Sequence, residues 1–84
     1  MNNVILRKIV VTGDYQPLAS GSLIGSVCIS CPPGNTGNVL FKGDDDSDVP
    51  WLPGEWHDFQ RIDLALVQVK GTPGDVVTVI GGTW

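Results

Sequence analysis

Leu23-Ile24-Gly25-Ser26-Val27-Cys28-Ile29-Ser30 is the stretch that decides the fold class. Leu23, Gly25, Val27 and Ile29 fall on one side of an extended chain and Ser26, Cys28 and Ser30 on the other, the period of two of a half-buried strand. Similar short segments lie downstream. Asn38 to Lys42 sets Val39 and Phe41 on one face with Lys42 opposite, Trp56 to Phe59 is a shorter candidate, Val67 to Lys70 a better one, and Asp75 to Ile80 closes the series. Upstream, Val4 to Thr12 is β-branched but does not alternate, which predicts a strand covered on both faces or used in an interface. Ile62 to Leu66 shifts the apolar phase by one residue, so it reads as a bulge near Leu66 or a brief 3₁₀ turn capped by Asp63.

Composition agrees. Seventeen Val and Ile stand against two Ala (Ala19, Ala65) and one Glu (Glu55), so strand formers dominate and strong helix formers are nearly absent. Pro33-Gly34, Pro53-Gly54 and Pro73-Gly74 recur every 20 residues, each pair suited to a type II turn. Their flanks do not otherwise match, so the recurrence is one of turn chemistry. The 84 residues make one all-β domain, residues 1–84: a single small β-sandwich or jelly-roll-like barrel of about six to eight short strands.

Charge and hydropathy exclude several roles. Net charge is −4, and Arg7, Lys8, Lys42, Arg61 and Lys70 are scattered, a poor footprint for nucleic acid. No apolar run approaches the roughly 20 residues of a membrane span. The bases Arg7 and Lys8 follow the first apolar run, with no small-residue cleavage site, so the start does not read as a signal peptide and a cytoplasmic origin is expected.

Three constellations could carry chemistry. Cys28-Ile29-Ser30-Cys31 has the CxxC spacing, but Pro32-Pro33-Gly34 follows it where a redox motif needs a helix. Asp44, Asp46 and Asp48 imitate the first positions of a calcium loop, yet Val49 stands where glycine is required and Pro50 and Pro53 forbid the exiting helix. His57 lies beside Glu55 and Asp58 without a nucleophile nearby. The reading is a non-enzyme with no catalytic residue, no metal and no cofactor.

From Gly34 to Gly82 the chain resembles small virion-associated proteins of tailed bacteriophages. The resemblance rests on Gly34-Asn35-Thr36-Gly37-Asn38-Val39, Pro53-Gly54-Glu55, Ile62-Asp63-Leu64, Val67 to Thr72 and Gly74 to Val79, in that order and spacing. It implies a virion structural protein made in the host bacterial cytoplasm, in the first place a capsid decoration (cement) protein that binds the major capsid protein or another virion protein. A tail or baseplate accessory is the alternative within that class. From another class, Trp51 and Trp56 could form a sugar platform beside a calcium-binding Asp loop, making a carbohydrate- or calcium-binding β module.

A core this small gains from oligomerisation, and three tryptophans exceed what it needs. A homo-oligomer, trimer or dimer, is therefore expected, with Val4, Ile5, Leu6, Trp51, Leu52, Trp56 and Trp84 as interface residues and the first strand offering an open edge.

Overall fold

The computed structural model describes residues 3–83, and Trp84 lies outside them. Eight strands form two antiparallel four-stranded sheets. The large sheet runs β1 (Asn3–Val10), β8 (Val76–Thr83), β3 (Ile24–Ser30), β6 (Trp56–Asp63); the small sheet runs β2 (Gln16–Pro17), β7 (Gln68–Lys70), β4 (Val39–Lys42), β5 (Val49–Trp51). The pairing is nested. β1 pairs with β8, β2 with β7, β3 with β6 and β4 with β5, so the chain doubles back on itself about the Gly43–Asp48 tip. Side pairs β3–β8 and β4–β7 then close each sheet. This is the double-sheet jelly roll, within the fold class that the alternation predicts.

The inward face of each strand holds the core. Ile5, Val27, Ile29, Val77 and Val79 of the large sheet meet Val39, Phe41, Trp51 and Val69 of the small one, and Val11, Leu18, Cys31 and Leu64 seal the ends. The inward residues of β3 and β4 are those the alternation assigns. β1 explains its lack of alternation by carrying apolar residues on both faces: Ile5 is buried while Val4, Leu6 and Val10 point outward.

Two strands escape the sequence pattern. β2 and β5 have two and three residues, too few for a period, and each contains a proline, Pro17 or Pro50. Both lie at edges of the small sheet, where a missing N–H costs no ladder bond. β6 is longer than expected, because a register shift against β3 between Gly25 and Val27 breaks its alternation and Arg61 takes φ 54° there. The Ile62–Leu66 phase shift resolves as the 3₁₀ turn Leu64–Leu66, its Asp63 side chain accepting from the Ala65 N–H.

Two of the three Pro-Gly pairs make type II turns. Gly54 (φ 89°) and Gly74 (φ 97°) sit third in turns closed by Glu55 N–H to Leu52 O at 2.9 Å and Asp75 N–H to Thr72 O at 3.0 Å. Gly34 lacks a positive φ, although Asn35 N–H still donates to Pro32 O at 3.1 Å. That third turn is held from outside. Buried Asp75 accepts from the Thr36 N–H at 3.0 Å, the Thr36 hydroxyl at 3.1 Å and the Gly37 N–H at 3.1 Å. Beside it, the Asn35 side chain exchanges two hydrogen bonds with the Val76 backbone, at 2.9 and 3.0 Å.

Gly81 is fixed by close approach. A Cβ there would collide with the Ser26 carbonyl oxygen and stand 2.7 Å from Val27 Cα, both backbone atoms of the adjacent strand. Gly81→Ala is therefore expected to destabilise the fold by about 1–3 kcal/mol, measured by urea denaturation; an unchanged midpoint would show that β3 and β8 are not packed this tightly.

The hydrogen bonds donated to Asp75 by the Thr36 N–H, and to Asp63 by the Leu23 N–H, hold both carboxyls below their ordinary value of 3.8. Depressed carboxyls stabilise the fold above their unfolded pKa, and the contribution fades as pH falls through the folded one. Asp75→Asn should lower the melting temperature at neutral pH and flatten its decline between about pH 5 and pH 2; a variant that melts like the parent at both ends would refute the role.

Candidate functional site

The outer face of the large sheet is built from alternate residues of four strands. Register places Leu6 beside Ile80, Ile80 beside Cys28 and Cys28 beside Asp58; the next row is Lys8, Thr78, Ser30 and Trp56. Val4 and Val10 extend the β1 side, Val10 opposite Val76. Exposure on this face is high for aliphatic side chains: 73% for Val4, 68% for Leu6, 52% for Val10 and 56% for Ile80. Trp56, 59% exposed, stands on the same face at the β6 edge. Two shallow hollows of about 320 and 340 Å³ run along β3, one beside Gly25 and Arg61, the other beside Cys28 and Asp58. An aliphatic ridge thus borders a groove on one sheet face, and β1 borders open solvent at the sheet edge.

Val4, Leu6 and Trp56, expected as interface residues, share this face but stand at its opposite edges, Val4 and Leu6 on β1 and Trp56 on β6. Leu52 is exposed in the turn between β5 and β6. Ile5 and Trp51 are corrected: both point between the sheets, with 2% and 5% of their surfaces exposed, because the pleat turns Ile5 away from its neighbours and Trp51 stacks on Phe41. Trp84 falls outside the described residues. Sequence reasoning missed Ile80 and Ile24. The signal was present, since with Val77 and Val79 inward the same alternation turns Ile80 outward.

Trp51 anchors a different site. Its ring stacks on Phe41 at 3.7 Å between centroids, lies parallel to Phe59 at 6.3 Å and receives the His57 edge at 4.7 Å. Trp51 and Trp56 therefore point to opposite sides of the large sheet and do not make one sugar platform. His57 Nε2 is 2.7 Å from Glu55 Oε2, while Glu55 Oε1 accepts from the Leu52 N–H at 3.0 Å. The hydrogen bond with His57, then that from Leu52, holds the Glu55 carboxyl below its usual range. The dyad's carboxylate is thus tied into the Pro53-Gly54 turn.

The acidic tip is divided among partners. The Tyr15 hydroxyl donates to Asp48, Asp45 caps the Ser47 N–H at 3.0 Å, and Asp46 lies 3.9 Å from the Lys42 ammonium. Burial, then the contact with Asp48, pushes the Tyr15 hydroxyl up to about 12. Among the described residues, no three His, Cys, Asp or Glu side chains converge as a metal would require.

Cys28 and Cys31 take opposite faces, Cys28 outward and Cys31 buried. Burial raises both thiols, with Asp58 adding to the effect on Cys28, and with Glu55 and Asp75 helping to push Cys31 up to about 11. Reactive cysteines need the reverse.

Comparisons place this geometry. No protein-family model and no curated protein matches the chain. Among solved structures, the chain is similar to an RmlC-like cupin protein from Desulfovibrio desulfuricans, with a TM-score of 0.59 and 18% identity over 96% of this chain and 80% of that one. The likeness establishes a cupin-like jelly roll. It overturns the expectation of a capsid decoration role, because the matched protein is not a phage structural protein and the cupin-like fold points away from that role.

Three steps of extended chain, across Ile29 and Ser30, separate the two cysteine Cα atoms by about 10 Å, beyond the reach of a disulfide. Mild oxidation of the native protein should therefore leave no Cys28–Cys31 bridge, checked by peptide mass mapping. A bridged peptide recovered from folded protein would contradict the opposed placement.

Proposed function

We propose that this cupin-like jelly roll is a non-enzymatic assembly module that associates with a second copy of itself through the outer face and β1 edge of its large sheet. The observation that carries the reading is the aliphatic ridge of Val4, Leu6 and Ile80, adjoining by register, with Val10 beyond Lys8 on the same strand, each of the four more than half exposed. Such a ridge wastes apolar area in a monomer, at roughly 25 cal/mol for each Å² left in water.

A second copy is the favoured occupant on two grounds. The ridge and the groove along β3 share one face, so a two-fold axis can seat each ridge in its partner's groove, the self-complementarity an isologous contact needs. β1 is also an eight-residue edge strand without proline, unpaired on its outer side among the described residues and so able to extend the sheet. Support for a non-enzymatic role comes from the chemistry-bearing groups. Glu55 is committed to its turn, both thiols are raised, and Asp75 is saturated by donors.

Sedimentation velocity tests the reading. The parent protein should sediment as a dimer or larger at micromolar concentration, and Leu6→Glu with Ile80→Glu should give a monomer with an unchanged circular dichroism spectrum. A parent that remains monomeric at the highest soluble concentration would sink it.

A further inference from the structure

The sandwich does not close on the side where β6 and the 3₁₀ turn pass the β4–β5 tip. A cleft of about 260 Å³ is walled there by Phe41, Val49, Trp51, Phe59 and Val67. It shares Gly43 and Val67 with a second hollow of about 480 Å³, walled by Ile62, Ala65 and Leu66. The two hollows make one recess with an aromatic inner end. Its mouth is apolar as well, since Leu66 is 71% and Val49 49% exposed. Gly43 and Ala65 leave the space that larger side chains would fill.

Carboxylates outnumber cations at this mouth. Asp44 and Asp63 border the second hollow, and Asp45, Asp46 and Asp48 belong to the adjoining tip. The cation that lines the recess, Lys42, is already engaged: its ammonium lies 4.4 Å from the Tyr15 ring centroid and 3.9 Å from Asp46. Lys70 also turns to Tyr15, at 4.7 Å. Among the described residues no buried side-chain polar atom lacks a hydrogen-bond partner, so the inner wall asks for no donor or acceptor. An occupant is matched when its body is apolar and its charge positive. The apolar wall accepts the alkyl groups of such an ion, and carboxylates attract it through simple charge.

We infer that this recess binds a small organic cation, an ammonium ion carrying alkyl groups, with its apolar body against Phe41, Trp51 and Phe59 and its charge toward Asp44 and Asp63. The site lies on the opposite side of the large sheet from the aliphatic ridge, so it stands whether or not the chain self-associates.

Nitrogen-15 correlation spectra of the full chain, titrated with choline, test the inference. Saturable shifts are expected at the Gly43, Asp44, Leu66 and Val67 amides. The uncharged carbon isostere, with a tert-butyl group in place of trimethylammonium, should bind about threefold more weakly or worse, having lost its attraction to the carboxylates. Asp44→Asn, at an exposed tip residue, should weaken choline by about threefold at low salt, and added salt should shrink that difference. Equal binding of the isostere, shifts confined to the outer face of the large sheet, or no saturable shift would each overturn the site. Repeating the titration on the Leu6→Glu, Ile80→Glu protein separates this question from assembly, because choline binding should persist there unchanged.

Discussion

Everything in this molecule depends on the nested pairing of its strands. Each strand finds as partner the one equally far from the Gly43–Asp48 tip, so the ladder is one long antiparallel ribbon wound into two layers. Winding requires corners, and the corners are where the unusual residues collect: the positive φ of Gly54 and Gly74, the prolines beside them, and the bulge where Gly25, Arg61 and Gly81 let β3 run close to its neighbours. Buried Asp75 belongs to the same logic. It spends a carboxylate on pinning the one Pro-Gly turn that lacks a positive φ, stitching residues 36 and 37 to the start of β8.

Nesting also distributes the chemistry. Because β1 and β6 end up as the edges of the large sheet, the least alternating strand and the most polar strand both face solvent. The aliphatic ridge therefore accumulates beside an open edge. Across the sandwich, the short strands of the small sheet cannot cover the whole inner surface of the large one. Phe41, Trp51 and Phe59 partly fill the gap by stacking, which leaves an aromatic recess next to the acidic tip. The recess thus originates in a mismatch of strand length between the two layers, and the ridge in the placing of β1 at a sheet edge. The jelly roll hosts many unrelated functions, and the particular residues carry the functional argument.

Much of the fold was legible because period two is a strong signal wherever one face is buried. Val27 and Ile29 in β3, and Val39 and Phe41 in β4, announce their orientation without any structure. Asp63 likewise marks its 3₁₀ turn by breaking the phase ahead of a capped LAL. What the sequence conceals is pairing. Nothing local in Gln16-Pro17 or Val49-Pro50-Trp51 identifies a strand, since their order comes from β7 and β4 across the sheet. The site was half legible for the same reason. Val4 and Leu6 stood out in an unalternated run, but whether Trp51 faces inward and Trp56 outward follows from register against Val39 and Ser30, residues far away in the chain. Charge alone suggested calcium at the tip, whereas the structure shows Asp45, Asp46 and Asp48 assigned to separate neighbours.

The pairing of Asn3 with Thr83 has one more implication. Directly opposed residues of an antiparallel ladder stand about 5 Å apart, so the described chain leaves its fold where it enters. A short linker could join those ends and new ones could be opened at the exposed Asp44–Asp48 tip, giving a circular permutant in which every strand keeps its partner. By the same geometry the whole jelly roll could be spliced into a surface loop of another protein without prying that loop apart. Topologically it is a graft with a single stem.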